Sequence, residues 1–181
     1  MGLAGSRTLH AVQFYTTTDM SSAHAAEFVA QGLFDGQPGL VIAAKESLAG
    51  IGAHLARRLR ALGRAQAPAV TFLDAHEVLA SVMSGDSPDP AALLDTVSRA
   101  AAWTGHAGGG PCIYADLADV LWKNANPDAA LDVELFWERL AQSRRFSLLC
   151  GYWSGNFDRD GDLLEHVCRH HTHILPRQHA A

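Results

Sequence analysis

Short apolar runs alternate along the chain with longer segments in which apolar residues recur at helical spacing. Residues 9–15 (LHAVQFY) and 39–44 (GLVIAA) are nearly continuous apolar runs, typical of strands buried on both faces of a parallel sheet. Similar runs predict strands at 69–73, 112–115 and 146–152. Apolar positions three or four residues apart predict helices at 23–33, 47–62, 75–83, 90–103, 116–124, 128–143 and 158–172.

Strands that alternate with helices predict crossover connections and therefore a mostly parallel sheet. We expect an α/β fold in three layers, with helices on both faces of the sheet. Neither a linker nor an internal repeat interrupts the pattern. The sequence thus predicts one domain over residues 9–176, with short tails at 1–8 and 177–181.

Composition narrows the class of protein. Hydrophobic residues make up 48% of the 181 residues, which is enough for a substantial core. The net charge of −5 argues against a dedicated nucleic-acid binder. Neither a membrane-spanning run nor a secretory signal is visible, and three cysteines cannot form a complete disulfide framework. These features predict a cytoplasmic protein without membrane or nucleic-acid contacts.

Two common catalytic motifs are absent from the strand ends. The segment after the second strand reads Ala43-Ala-Lys-Glu-Ser47, which lacks the glycines of a phosphate-binding loop, and Glu46 would repel a phosphate. The segment Gly151-Tyr-Trp-Ser154-Gly lacks the first glycine of a nucleophile elbow at the required offset. The sequence therefore carries no ATP motif and no enzymatic signature, and we expect a protein that is not an enzyme.

Histidines are the unusual feature of the composition, with ten in the chain and five in the last sixteen residues. Cys168 and His171 are three residues apart, so a helix over 158–172 would place both on one face. His10 and Cys150 could complete a tetrahedral metal site if the fold brings them close. The alternative is that Cys168 faces the core and His171 is a buried, hydrogen-bonded histidine.

Polar residues at strand ends are further candidates, because ligands of open α/β sheets bind beyond the carboxyl ends of the strands. Asp116 directly follows the strand 112–115; it is either a functional carboxylate or the cap of the next helix. Tyr15 and Tyr152 combine an apolar ring with a hydroxyl group and could line a pocket for a small organic ligand. Such aromatic residues are more often part of the core.

A series of short motifs runs through the whole chain in a fixed order. The motifs are His10-Ala-Val-Gln-Phe-Tyr15, Leu73-Asp-Ala75, Met83-x-Gly85-x-x-Pro88-Asp89, Leu121-Trp122, Asn126-Pro127, Glu134-x-x-Trp137-x-x-Leu140, Phe146-Ser-Leu-Leu-Cys150-x-Tyr152 and Cys168-x-x-His171-x-His173-x-Leu-Pro176. The series resembles the MEDS family, a sensory domain named after methanogen and methylotroph regulators and a dichloromethane-responsive repressor. The resemblance covers about residues 9–176.

The resemblance implies a sensory or regulatory domain with a degenerate RecA/KaiC-like fold that is not an ATPase. Such domains look like receivers of small-molecule signals. The resemblance, together with the strand-end candidates, gives a predicted ligand site of His10, Phe14, Tyr15, Asp116 and Tyr152. The predicted ligands of a transition metal such as zinc, or of haem, are Cys168, His171, His10 and Cys150. The segments Thr16-Thr-Thr-Asp19 and Ala115-Asp116-Leu117 depart from the family pattern.

The leading hypothesis is a non-enzymatic sensor that binds a small ligand or metal and signals through a protein partner. Similar domains are joined to histidine kinases, DNA-binding regions of transcription regulators or anti-sigma-antagonist domains, so the partner is expected among these, with a homodimer as a further option. Two other hypotheses are a degenerate nucleotide-binding protein and an interaction module that binds no ligand.

Overall fold

The computed structural model describes residues 9–63, 70–103, 110–157 and 161–175, without the side chains of 161–163. The predicted tails, Pro176, the first residue of the strand predicted at 69–73 and the first residues of the helix predicted at 158–172 lie outside this part of the chain. The strands are β1 (Leu9–Tyr15), β2 (Gly39–Ala43), β3 (Val70–Asp74), β4 (Met83–Ser84), β5 (Ser87–Pro88), β6 (Cys112–Ala115), β7 (Ser147–Trp153) and β8 (His173–Ile174).

Helices connect most of these strands. They are α1 (Thr18–Phe34), α2 (Lys45–Ala61), α3 (Ala75–Val82), α4 (Pro90–Ala100), α5 (Leu117–Lys123), α6 (Pro127–Ser143) and α7 (Gly161–Arg169), with a 3₁₀ helix at Ser154–Phe157. The helices α4 and α6 each start where the sequence has an N-cap residue followed by a proline. Asp89 accepts hydrogen bonds from the first turn of α4, and Asn126 accepts one from the first turn of α6.

The middle layer is a six-stranded parallel sheet in the order β3-β2-β6-β7-β1-β8. One face packs against α1 and α2 through a core that includes Val29, Ile51 and Leu149. The other face packs against the helices from α3 onward, in a larger core that includes Val133 and Val167. The predicted α/β class, the parallel sheet and the three layers are confirmed. The relation to RecA and KaiC stays a prediction.

The end of the chain differs from the predicted helix over 158–172. The last helix ends at Arg169, and the following residues run along β1 as the edge strand β8. Thr172 N donates to His10 O at 2.7 Å and Leu175 N donates to Val12 O at 2.9 Å. Pairing with a sheet edge overrides the helical periodicity here, so Cys168 and His171 do not share a helix.

The start of α1 also differs from the prediction. The helix begins at Thr18 rather than at residue 23, because the Thr17 side chain accepts a hydrogen bond from Met20 N and caps the first turn. No helix in the described ranges is long and apolar enough to cross a membrane.

Candidate functional site

Four ionisable side chains converge inside the protein, on the face of the sheet that carries the larger core. They are His10 on β1, Glu134 on α6, Cys150 on β7 and His171 in the segment between α7 and β8. All four are buried, and one nitrogen, oxygen or sulfur atom from each lies within 4.8 Å of the others. We call this group the His–Glu–Cys cluster.

The sheet register brings His10 and Cys150 together. Strands β1 and β7 are adjacent and parallel, with Val12 opposite Cys150. Side chains alternate between the faces of a strand, so His10 lies on the same face as Val12. Val12 and Cys150 both belong to the larger core, which places His10 beside Cys150 rather than among the helices α1 and α2.

The segment after α7 supplies the last member of the cluster. Thr172 Oγ1 donates to His10 O at 2.8 Å and accepts from His10 N at 3.1 Å. These bonds fix the backbone of Thr172 against β1, and the preceding residue, His171, turns its ring toward His10 with 4.1 Å between the ring centroids. The position of His171 therefore depends on the docking of the C-terminal segment, residues 170–175.

Glu134 is the centre of the contacts within the cluster. Its Oε2 atom lies 3.3 Å from His10 Nε2 and 3.4 Å from His171 Nε2. Cys150 Sγ lies 3.5 Å from His10 Nε2 and 3.9 Å from Glu134 Oε2. The carboxylate thus faces both imidazole rings and the thiol through a single oxygen atom.

Two further groups orient the cluster from outside. The Tyr152 hydroxyl donates to Glu134 Oε1 at 2.6 Å, which leaves Oε2 for the histidines. His171 Nδ1 lies 2.7 Å from Val167 O, and a carbonyl oxygen can only accept, so Nδ1 carries the proton. In the neutral ring Nε2 is then unprotonated; it is buried, faces Glu134, and has no hydrogen-bond partner.

Burial and charge shift the pKa values of this group in opposite directions. Burial alone would raise the pKa of Glu134, but the hydrogen bond from His10, the two imidazole charges and the Tyr152 hydroxyl together hold it below its usual value. Burial lowers the pKa of His171. Burial and the neighbouring Glu134 raise the pKa of Cys150 well above its usual value.

A model of the family described as "MEthanogen/methylotroph, DcmR Sensory domain", or MEDS, matches residues 9–172. The chain belongs to the MEDS family. The match confirms the resemblance in the sequence motifs and spans all four members of the His–Glu–Cys cluster. The family description indicates a sensory or regulatory role. Curated proteins gave no match to the chain.

The structure brings together three of the four predicted metal ligands of this MEDS domain. His10, Cys150 and His171 lie in the cluster, whereas Cys168 does not belong to it and is a half-buried residue against the larger core. Glu134 was not predicted as a ligand. The signal for it was present: on α6 it lies between the buried residues Val133 and Trp137, so a carboxylate stands on the apolar face of an amphipathic helix.

The predicted ligand residues are divided between two places. His10 and Tyr152 belong to the cluster and its surroundings. Phe14 packs edge-on against Phe157, with ring centroids 5.5 Å apart, and lies in an aromatic part of the core next to Tyr152. Tyr15 lies at the carboxyl end of β1, in a different polar network.

A surface groove of about 570 Å³ lies between α4 and α6, and the aromatic residue Phe136 is part of its lining.

The polar network around Tyr15 is organised by Asp119 on α5, which the sequence did not single out. Asp119 accepts hydrogen bonds from Trp153 N at 2.8 Å, from Asn156 Nδ2 at 2.7 Å and from the Tyr15 hydroxyl. Lys123 Nζ lies 2.9 Å from the same carboxylate. Burial and the Asp119 charge raise the pKa of Tyr15 well above its usual value. The network ties the ends of β1 and β7 to α5.

Asp116 belongs neither to the cluster nor to the Asp119 network, and its carboxylate contacts the backbone at the start of α2. Both of its carboxylate oxygens accept from Ala44 N at 3.1 Å, and the side chain makes no capping hydrogen bond to α5. Asp116 occupies the N-cap position of α5, but the alternative that its side chain caps this helix is not borne out, because the carboxylate reaches instead to the start of α2. Burial raises the pKa of Asp116 to about 7; the Ala44 hydrogen bond opposes this shift and the charge of Asp119 adds to it.

We expect Asp119→Ala to lower the free energy of unfolding by about 3 kcal/mol, because it leaves buried donors from β1, β7 and the 3₁₀ helix without an acceptor. Urea denaturation measures the change. The matched control is Asp95→Ala, which removes an exposed ion pair with Arg99 on α4 and should cost less than about 1 kcal/mol. Equal losses in the two variants would contradict the structural role of Asp119.

Proposed function

We propose that this MEDS domain is a non-enzymatic sensor that reads its input at the His–Glu–Cys cluster. The binding state of the cluster controls how firmly the C-terminal segment docks on β1, and a protein partner detects that segment. One observation carries the proposal: His171 is at once a member of the buried cluster and part of the segment that forms the sheet edge.

The C-terminal segment is suited to such an output because few contacts hold it. Its strand β8 has two residues, and the Ile174 side chain is 55% exposed. Its other attachments are the backbone bonds to β1, the side chains of Thr172 and His171, the contacts of His170 with Glu138 and His166, and the packing of Leu175 against the smaller core. Segments with few buried contacts open at lower free energy than the core. A ligand that binds only the docked arrangement would shift this equilibrium.

The chemistry of the cluster supports a binding role over a catalytic one. A nucleophilic cysteine needs a low pKa and access to substrate, whereas burial keeps the Cys150 thiol protonated and enclosed. Glu134 is completely buried, so a substrate larger than an ion could not reach it without opening of the domain.

The alternative of a degenerate nucleotide-binding protein is disfavoured by Asp116. In nucleotide-binding α/β folds the backbone N–H groups at the start of a helix after a strand hold phosphate oxygens. At the corresponding position in this chain, Ala44 N already donates to the Asp116 carboxylate, which would also repel a phosphate. A module that binds no ligand remains the competing outcome of the test below.

The proposed partner is a signalling protein such as a histidine kinase, an anti-sigma-antagonist or a transcription regulator, since such proteins act on or are joined to sensory domains of this kind. None of the three cysteines forms a disulfide, which fits a reducing compartment, and we place the domain in the cytoplasm.

Hydrogen exchange tests the coupling between the cluster and the C-terminal segment without knowledge of the ligand. In metal-free buffer, His171→Ala should speed amide exchange in peptides covering residues 9–15 and 170–175 by at least about tenfold, because the segment loses its buried anchor. Peptides from β2 and β3, on the far side of the sheet, should exchange as in the unmodified protein.

The control is His173→Ala, two residues further along the same segment, where the side chain is exposed. It should leave exchange in both peptides unchanged. Equal exchange in the two variants, or faster exchange throughout the domain, would contradict the coupling and favour a module without a ligand.

A further inference from the structure

We infer that the His–Glu–Cys cluster is a closed tetrahedral site for a divalent transition-metal ion of the zinc class. The ligand atoms are His10 Nε2, His171 Nε2, Glu134 Oε2 and Cys150 Sγ. The inference rests on the proposed function, because it names the ligand of the same site.

The distances between the ligand atoms fit one shared ion. Zinc lies about 2.0–2.2 Å from nitrogen and oxygen ligands and about 2.3 Å from sulfur, so tetrahedral ligands are roughly 3.3–3.7 Å apart. Four of the six separations between the ligand atoms are 3.3 Å, 3.4 Å, 3.5 Å and 3.9 Å, and all six are within 4.8 Å. Hydrogen bonds between a charged imidazole and a carboxylate are shorter, at about 2.7–2.9 Å. Three of the separations within the cluster match ligands around one ion, and a small inward movement of the side chains would bring the remaining pairs into range.

The hydrogen bonds around the cluster also suit a metal. His171 donates from Nδ1 to Val167 O and directs Nε2, which makes no hydrogen bond, into the cluster beside Glu134. Buried polar atoms without a partner are rare in proteins, and metal-binding histidines commonly donate their other nitrogen to a backbone carbonyl. Tyr152 plays the equivalent part for Glu134, since it holds Oε1 and leaves Oε2 free for the ion.

The set of donor atoms selects the class of ion. Two imidazole rings, one thiol and one carboxylate suit zinc, whereas calcium and magnesium prefer oxygen ligands alone. The four ligand atoms lie within 4.8 Å of one another, which leaves room for one ion and not for a haem. With all four positions filled by protein, no position stays open for a reactive water, which fits a regulatory ion.

Binding also has a defined proton balance. The Cys150 thiol would lose its proton to solvent as the sulfur–metal bond forms, as coordinating thiols do. The thiolate and carboxylate charges then offset the two charges of the ion inside the core. No oxidant or reductant is needed.

Cobalt(II) is a suitable probe, because it takes the tetrahedral geometry of zinc sites and its absorption reports bound thiolate. The untagged full chain is stripped with a chelator and titrated with Co²⁺, and the bound Co²⁺ is then displaced by Zn²⁺. We expect one ion per chain and a sulfur-to-cobalt charge-transfer band.

Cys150→Ser should abolish the band, and His171→Ala should weaken zinc binding by at least about 100-fold, since each removes a ligand. Tyr152→Phe should weaken it by about tenfold, as the loss of an orienting group does.

Neighbouring residues of the same types give matched controls. Cys168→Ser and His170→Ala should leave the band, the stoichiometry and the affinity unchanged. The second control matters because His166 Nε2 and His170 Nε2 lie 3.1 Å apart at the C-terminal end of α7 and could chelate an ion weakly. Circular dichroism checks that each variant is folded; His171→Ala lies outside the helices and strands, so it tests the site even if Cys150→Ser does not fold.

Three results would overturn the metal site: absence of stoichiometric binding at micromolar Co²⁺, retention of the band in Cys150→Ser, or its loss in His170→Ala. These failures are distinct from failure of the sensor. If His171→Ala still accelerates exchange in the C-terminal segment while no metal binds, the coupling stands and its input is a different ligand.

Discussion

Glu134→Ala is expected to lower the free energy of unfolding by about 3–5 kcal/mol, measured by urea denaturation in metal-free buffer. Glu134 is completely buried and is the common partner of both histidines of the cluster and of Tyr152. Removing one member of a buried charged network leaves the others desolvated without compensation, and this costs more than the loss of the contact itself. Alanine also leaves a cavity against the sheet.

The matched control lies one helical turn further along α6. Glu138 is 49% exposed and pairs with His170 at 3.3 Å, so Glu138→Ala should cost less than about 1 kcal/mol. Glu134→Gln keeps an oxygen that can accept from Tyr152 and should fall between the two alanine variants. If Glu134→Ala were no more destabilising than Glu138→Ala, the cluster would not be the polar centre of this core.

The fold could be predicted from the sequence because its strongest patterns agree with one another. The apolar run of β2 is buried at all five positions, as a central parallel strand requires. Asp89-Pro90 and Asn126-Pro127 mark the starts of α4 and α6, where local capping and the preference of proline act together. The edge strand β8 could not be predicted, because two residues carry no periodicity and only their pairing with β1 defines them.

The candidate site was predicted in part, and the reasons differ between residues. His10, Cys150 and His171 stood out by their type, yet the helix predicted over 158–172 made Cys168 the natural companion of His171. Once the chain leaves the helix after Arg169, that spacing loses its meaning. Glu134 completes the cluster from a distant part of the sequence, and only the packing of α6 on the sheet brings it there.

The location of the site also departs from the general rule for open α/β sheets. That rule places ligands beyond the carboxyl ends of the strands, and it directed attention to Tyr15 and Asp116. His10 is instead the second residue of β1, and Cys150 is in the middle of β7. At the carboxyl ends, Asp119 and Asp116 are occupied by protein donors. At this edge two carboxylates are thus bonded to protein donors, whereas the His–Glu–Cys cluster lies under the sheet.

Asp116→Asn is expected to stabilise the domain relative to the unmodified protein at about pH 8, with the advantage shrinking by about 2–3 kcal/mol as the pH falls to about 5. The pKa of Asp116 is about 7 in the folded protein, against 3.8 for an ordinary aspartate. Between these values the folded state binds a proton that the unfolded state has released, so the stability of the unmodified protein falls as pH rises, by roughly 1.4 kcal/mol per pH unit at most. Asparagine carries no charge and removes this dependence, while its oxygen can still accept from Ala44 N.

Urea denaturation of both proteins from about pH 5 to pH 8 gives the difference in their free energies of unfolding as a function of pH. The change of this difference with pH, rather than its value at any one pH, tests the prediction. The charges around Asp116 are Asp119 and Glu46, which favour the protonated form, and Lys123, which opposes it. All three are retained in both proteins, so differences between the curves come from position 116.

Asp89→Asn, at an exposed cap of α4, is the control. Its difference in unfolding free energy from the unmodified protein should change by less than about 1 kcal/mol over the same pH range, because its carboxylate lies in water. Parallel curves for Asp116→Asn and the unmodified protein would show that Asp116 ionises alike in the folded and unfolded states, and that Ala44 holds a carboxylate at no cost to the fold.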